Sequence, residues 1–546
     1  MSHPNASTAL ARVVIDELSR VGVDLVVISP GSRSAALAIA ASTHPDLETR
    51  VVLDERSAAF HALGAAKASR RPTAVVSTSG TAPTNFFPAV VEADLACVPL
   101  VVISADRPVE MQGVGANQTI DQVDLFGSKV RSYLGIEAPD ATTDLNAKWR
   151  SSVSGLTSMA KGPRPGPVHL NVRFREPTVP VTDDGRTRGE VYPFETPPRE
   201  TVEPSPVTRT PGGTPHLKPD RGLVIAGDGE YDRDRLEEEA GRLRWPVLAT
   251  ALSGLRGRQV VSTYHHILAP GVPEELRPEV VVAVGAIGPS ARVETLVSSG
   301  GSRVRVDLWG RVIDPARNAT AVVAGEVCDL LAEVAGSAKE EWRQAWMDSD
   351  ASCLTRIERQ VRESNDITSA GVAVTLNQVD WGSLVVASSL PIRDVDAFLT
   401  RPGPVIANRG ASGIDGFVST ALGVAGQLPR TLALTGDLSL LHDSNGFLND
   451  ADIDLVMIVV DNGGGGLFDL LPQERHAPDY ERLFVTDQKR DFTNLARLHD
   501  LRYDEASDLK DLRRLADEAL NRDGLDLIRV PVDRSRDAGF RAQLDS

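Results

Sequence analysis

Cysteine is scarce. Cys97, Cys328 and Cys353 are the only three in 546 residues, and no two of them form a CxxC pair. That spacing argues against a disulfide framework and a cysteine-built zinc site, and it fits a reducing, cytoplasmic setting. Basic charge is also short: 58 Lys+Arg face 75 Asp+Glu, for a net charge of −17. Nonspecific nucleic-acid binding is therefore not expected, and an anionic membrane would repel the chain. No segment approaches the roughly 18–20 consecutive apolar residues of a membrane span. The N-terminus lacks the basic stretch and apolar core of a secretion signal. Any basic residues that bind an acidic small molecule must be local.

What the chain has is alternation. Its length suggests about three domains, and 41% hydrophobic with 24% charged residues is ordinary for a globular protein. Leu10, Val13, Val14, Leu18 and Val21 recur at helical spacing, with Ser7 or Thr8 as the N-cap and Gly22 as the stop. Short β-rich runs follow at Leu25–Ser29, Val51–Asp54, Thr73–Ser77 and Pro99–Ser104, separated by helical stretches. Such alternation implies a parallel sheet covered on both faces. Nine of the 35 prolines fall between Pro177 and Pro215, which reads as a linker. A second unit carries Leu223–Ala226, Val280–Gly285 and Arg303–Leu308. A polar helix over 338–363 leads to a third unit with Ser383–Ser388, Pro404–Ala407, Thr431–Thr435, Leu455–Val460 and Leu527–Val532. The fold class is α/β: three doubly wound parallel-sheet domains over 1–180, 219–335 and 336–546, with the Pro-rich linker at 181–218. The first and third are candidate structural relatives.

Ligands of open parallel sheets sit at the C-terminal ends of the strands. In the first unit those ends read Pro30-Gly31-Ser32-Arg33-Ser34, Glu55-Arg56-Ser57, Thr78-Ser79-Gly80-Thr81 and Asp106-Arg107-Pro108. In the third, Gly436-Asp437-Leu438-Ser439 is followed 25 residues after the aspartate by Asn462, in Asp461-Asn462-Gly463-Gly464. One helix and one strand fit between them, so a carboxylate and a carboxamide lie at neighbouring strand ends. Both are hard oxygen ligands suited to Mg²⁺, and the glycines let backbone approach a diphosphate. Two ordinary Gly-rich turns would give the same letters. Gly227-Asp228-Gly229 is a decoy: no asparagine follows before Asn318, and the third glycine of a dinucleotide fingerprint is absent.

Taken together, these pieces resemble thiamine diphosphate (ThDP) enzymes of the decarboxylase superfamily. More narrowly, the chain is similar to the 2-succinyl-5-enolpyruvyl-6-hydroxy-3-cyclohexene-1-carboxylate synthase (MenD) family over essentially its whole length. The resemblance rests on Ser29–Ser34, Asp54–Ser57, Ser79–Ala82, Ala105–Pro108, Gly115–Ile120, Asn408–Gly416 and Gly436–Ser439. Leu438 departs from the broad superfamily and matches this family. It implies decarboxylation of 2-oxoglutarate and conjugate addition of the succinyl carbanion equivalent to isochorismate, in menaquinone biosynthesis. Glu55 would be the cofactor-activating acid, placed beside N1′ of the aminopyrimidine. Asp437, Asn462 and the Gly464 carbonyl would hold Mg²⁺ or Mn²⁺. Ser79, Gly80, Ile414, Gly436, Leu438, Ser439, Leu467 and Phe468 would contact ThDP.

The implied substrates carry carboxylates, which guanidinium forks read well. Arg33, Arg393, Arg409 and Gln118 are the implied catalytic partners of Glu55. Ser32, Arg107, Asn117, Arg292 and Ser389 would bind substrate. Pro289-Ser290-Ala291-Arg292 lacks the lysine that family members can place beside that arginine, and Val485–Arg490 receives no role. The superfamily shares its cofactor between two subunits, implying a homodimer or a dimer of dimers. Alternatives are an acetohydroxyacid synthase-like lyase, or a noncatalytic binding protein that kept the fold.

Overall fold

In a computed structural model, residues 5–137, 143–179, 217, 220–288, 290–449 and 452–545 are described. Apart from Leu217, the expected linker at 181–218 lies outside them, as does Pro289.

Three parallel sheets carry the fold. The first contains β1 (Leu25–Ile28), β2 (Glu48–Val51), β3 (Thr73–Ser77), β4 (Leu100–Asp106), β5 (Tyr133–Glu137) and β6 (Val168–Arg173), in the order β2-β1-β3-β4-β6-β5. The middle sheet contains β7 (Gly222–Ala226), β8 (Val247–Ala249), β9 (Val280–Val284), β10 (Ser302–Asp307) and β11 (Ala321–Ala324), in the order β11-β10-β9-β7-β8. The third contains β12 (Ser383–Val386), β13 (Val405–Ala407), β14 (Thr431–Gly436), β15 (Leu455–Asp461), β16 (Arg502–Glu505) and β17 (Leu525–Pro531), in the order β13-β12-β14-β15-β17-β16. Counted within its own unit, each of the two outer sheets runs 2-1-3-4-6-5. This shared order supports the expected kinship of the first and third units.

Both faces of the outer sheets are covered. On the first, Leu10, Val14, Leu37 and Trp149 fill one side, and Phe60, Leu63, Phe86 and Val90 fill the other. Central strands such as β3 are buried at every residue, as expected where helices pack on both faces.

Two local expectations are corrected. The first helix spans Ala6–Arg20 and is capped by Asn5, whose side chain accepts from Thr8 N; Ser7 and Thr8 lie inside it. The strand expected at Val51–Asp54 is shifted to Glu48–Val51. Asp54 caps the next helix, Glu55–Ser69, accepting from Arg56 N at 2.9 Å. Beyond the strand, Val52 bridges Asn449 and Leu53 N bonds to Leu448 O before the cap begins the helix. Glu55 is thus a first-turn acid.

The helix Glu55–Ser69 crosses Phe417–Ala425 of the third unit at a contact that requires glycine. A Cβ on Gly64 would lie 2.2 Å from Thr420 O, and one on Gly423 2.1 Å from His61 O. Gly64→Ala gains up to about 1 kcal/mol of helix propensity, yet overpacking at such a contact costs about 1–3 kcal/mol. Denaturant unfolding should therefore show a net loss of stability. An unchanged or raised midpoint would mean that the helices separate without cost.

Candidate active site

The C-terminal edge of the third sheet holds the carboxylate and carboxamide together. Asp437 opens a helix directly after β14 and is buried. Its Oδ1 accepts from Leu438 N at 2.8 Å and its Oδ2 from Gly464 N at 2.6 Å. Burial, with a contribution from Asp461, nevertheless pushes its pKa up to about 7. Asp461 lines the same cleft and is bonded to Arg529 Nε at 2.7 Å. Asn462 leaves Oδ1 buried without a hydrogen-bond partner among the described residues. Gly464 has φ +122°, and a Cβ there would fall 2.1 Å from Val485 O, so only glycine fits. Its carbonyl accepts from Gly466 N at 2.9 Å and retains a second lone pair. A Cβ on Gly436 would meet nothing within 4 Å.

These features fit a metal–diphosphate group. An orphaned amide oxygen, a carboxylate that burial disfavours as an anion, and open space beside a glycine are what a divalent cation and phosphate oxygens would satisfy. Among the described residues no cluster of three His, Cys, Asp or Glu side chains could hold a metal, so the donor set is one carboxylate with neutral oxygens. The adjoining cleft, about 490 Å³, is lined by Asp437, Asn462 and also Asp487–Arg490, part of the segment given no role from sequence.

The glycine run leads from this cleft to a second cavity of about 780 Å³ between the middle and third sheets, where Leu467, Arg292, Arg393 and Arg409 are exposed to the same space. Arg393 bonds to Ser389 O at 2.6 Å and Arg409 to Ser388 Oγ at 3.2 Å. Neither guanidinium pairs with a carboxylate among the described residues. Burial lowers both pKa values, and for Arg409 the neighbouring Arg393 adds to it. Two crowded, partly desolvated cations outside ion-pair distance of any described carboxylate could accept a bound anion. Ser389 takes a strained φ of +73° at the start of the helix Leu390–Phe398 that carries Arg393. Ile414 is half-buried, and its carbonyl accepts from Ser439 Oγ at 3.1 Å. Phe468 packs edge-on against Phe484, with ring centroids 5.4 Å apart.

Arg292 is placed differently from a free substrate reader. It pairs with Asp545, Nη1 to Oδ1 at 3.0 Å, and donates to His265 O at 2.9 Å. Sequence spacing gave no sign of this partner, nor of His265 and Asp396, which line the same cavity.

The remaining expected residues gather at the C-terminal edge of the first sheet. Arg107 donates to Ser79 Oγ, and Ser79 Oγ donates to Gln118 O at 3.0 Å. Gln118 Nε2 returns a bond to Ser79 O at 3.1 Å, and Gly80 N bonds to Gln122 at 3.1 Å. Arg33 pairs with Glu176 at 3.1 Å and bonds to Phe174 O. Burial and the charge of Arg33 lower the pKa of Arg107. Ser32, Asn117 and Gln118 are exposed. Glu55 is half-buried, and no group among the described residues bonds to its carboxylate.

Within one chain the two groups stay apart. The turn that carries Arg409 rests on Glu92, which accepts from Gly410 N at 2.9 Å and Ala411 N at 2.6 Å, and Lys67 bonds to Asn408 and Glu92. Lys67 lies twelve residues beyond Glu55 on one helix, about 18 Å at 1.5 Å per residue. No hydrogen bond or ion pair links Arg33, Glu55, Arg107 or Gln118 to Arg393 or Arg409 among the described residues.

Residues 8–125 match the family model described as thiamine pyrophosphate enzyme, N-terminal TPP binding domain. A 2-succinyl-5-enolpyruvyl-6-hydroxy-3-cyclohexene-1-carboxylate synthase of Thermobifida fusca is 39% identical over 99% of this chain and 98% of its own. Relatives of the same description in Chloroflexus aurantiacus and Halobacterium salinarum are 38% and 36% identical. Each alignment spans 98% of this chain, with 95% and 97% of the relative. The chain belongs to the 2-succinyl-5-enolpyruvyl-6-hydroxy-3-cyclohexene-1-carboxylate synthase family of ThDP-dependent enzymes.

Proposed function

We propose that the chain joins a succinyl unit, from decarboxylated 2-oxoglutarate, to isochorismate by conjugate addition. The observation that carries this reading is that Arg393 and Arg409, without an ion pair among the described residues, line one cavity, while Asp437 and Asn462 line a cleft at the other end of the glycine run. ThDP, when bound, supplies the centre that stabilises the carbanion left by CO₂ loss. Asp437, Asn462 and the Gly464 carbonyl would hold Mg²⁺ or Mn²⁺ against its diphosphate. Arg393 and Arg409 hold substrate carboxylates, and Ser389 keeps the helix carrying Arg393 in place. Arg33, Arg107, Ser32, Asn117 and Gln118 orient the second substrate, since fixed orientation supplies much of the acceleration.

A second copy of the chain completes the site. Glu55 and its neighbours in the pyrimidine-binding domain (1–180) of one copy meet the diphosphate-binding domain (336–546) of the other, with 219–335 between as the middle domain. Exposed apolar residues at the first sheet's edge, Leu53, Val109, Val114 and Val123, suit such a contact. No described helix is long and apolar enough to cross a membrane. A cytoplasmic homodimer or dimer of dimers is part of this reading. Purified protein with ThDP, Mg²⁺, 2-oxoglutarate and isochorismate should yield the cyclohexene carboxylate, followed by mass. Absence of product, or equal turnover with pyruvate in place of 2-oxoglutarate, would refute the proposal.

A further inference from the structure

The arginine cavity holds a polar group that none of the expected site residues accounts for. His265, on the short helix Tyr264–Ile267, places Nε2 2.7 Å from Oδ2 of Asp396. Asp396 lies one turn beyond Arg393 on the helix Leu390–Phe398. Its carboxylate is fully engaged: Oδ1 accepts from Ala251 N at 2.7 Å, Oδ2 also accepts from Tyr264 at 2.9 Å, and Arg256 approaches Oδ1 at 3.4 Å. Against burial, which raises it, the His265 hydrogen bond and charge, with Arg256, bring the Asp396 pKa down to about 2. An ionised acceptor makes Nε2 the donor and leaves Nδ1 to gain or lose the second proton. Nδ1 stands 3.3 Å from Ser290 Oγ, and both residues line the cavity with Arg393 and Arg409.

A conjugate addition needs an acid here. As the new carbon–carbon bond forms at one carbon of the acceptor's double bond, the π pair moves to its neighbour, where a proton must arrive. Arginine does not release one, and Asp396 has none to give. Glu294 is paired with Arg305 at 2.8 Å, and Asp545 with Arg292. Asp228 also lines the cavity, and burial raises its pKa although Lys67 and Arg311 lower it, so it is the competing acid. His266 packs against Phe398, with ring centroids 5.0 Å apart. His265 is the other acid left.

We propose that His265, oriented by Asp396, protonates the acceptor carbon during succinyl transfer, an assignment that rests on the function proposed above. The Nδ1–H bond breaks and its electron pair stays on the ring. The new C–H bond takes the displaced π pair, and the ring regains a proton from solvent beside the Ser290 hydroxyl.

His265→Gln keeps a donor toward Asp396 but cannot give up a proton. Two rates separate its effects: oxidative decarboxylation of 2-oxoglutarate with ferricyanide as the trap, and product formation with isochorismate. Decarboxylation should stay close to wild type, while product formation falls on the order of 10²-fold, as for loss of a general acid. Asp228→Asn should leave both rates unchanged. Equal loss of both rates in His265→Gln, or loss of neither, overturns the proposal, as does the His265→Gln pattern appearing in Asp228→Asn. If the wild-type chain fails to decarboxylate 2-oxoglutarate, the underlying function falls, and this assignment with it. A readout independent of cofactor is the ¹⁵N-histidine spectrum of the ThDP-free protein, with His265 assigned by its absence from His265→Gln. The neutral ring should carry its proton on Nε2, and an Nδ1–H neutral tautomer would contradict the geometry.

Discussion

Glu55→Gln should leave ThDP binding nearly intact and lower turnover by about 10³-fold, within the range for loss of a positioned acid or base. Asp54, not Glu55, caps the helix, so the substitution removes no cap. The Glu55 carboxylate bonds to nothing among the described residues, and stability should change by less than about 0.5 kcal/mol. Glutamine has the same shape and can hydrogen-bond, but it cannot exchange a proton with the cofactor's aminopyrimidine. Steady-state kinetics beside a calorimetric ThDP titration would separate the two effects. Unchanged turnover removes Glu55 from its role, and lost binding with lost turnover makes it a cofactor contact only.

Asp437→Asn should weaken Mg²⁺-dependent ThDP binding by about 100-fold or more, since even outer-sphere partners of a metal are worth 10–100-fold. The wild-type site carries a pH signature as well. Burial holds the Asp437 pKa at about 7 in the metal-free chain, and a metal must displace that proton. Mg²⁺ affinity should therefore fall as pH drops below about 7. Stability runs in the opposite sense. Because the folded pKa lies above the ordinary 3.8, the protonated carboxyl favours the metal-free fold at low pH, and that contribution is lost as pH rises from about 4 to about 7. Melting curves with and without Mg²⁺ across this range test both signs. Metal affinity that is flat with pH, or Asp437→Asn binding as well as wild type, would remove Asp437 from the metal site.

Buried strands with an unbroken apolar run were the legible part of the fold, whereas interior Val168–Arg173 was missed because His169 and Asn171 break its run. Thr73–Ser77 and Leu455–Val460 are apolar runs, the usual way to write a strand buried on both faces. Most edge strands were not legible, Val405–Ala407 being an exception. Tyr133–Glu137 and Arg502–Glu505 are half-exposed and carry no apolar run, and polar Glu48–Val51 lost out to the apolar letters beside it. The strand-end motifs could be read because a parallel sheet delivers every strand's C-terminus to one edge. Contacts between units could not. Arg292 and Asp545 are 253 positions apart, and His265 and Asp396 are 131 apart. Neither pair leaves a local pattern, although the spacing of Arg393 and Asp396 does place them on one helix face.

The central claim is that two copies of the chain share each site, Glu55 from one and the Arg409 cavity with the Asp437–Asn462 cleft from the other. Complementation tests it most directly. Glu55→Gln and Arg409→Ala should each be inactive alone. Co-expressed, half of the dimers are mixed, and each mixed dimer holds one site with both native residues. The mixture should recover about a quarter of wild-type product formation, following the symmetry of a two-fold dimer. A mixture that stays as inactive as its components, with mixed dimers confirmed by differential tagging, would contradict the account.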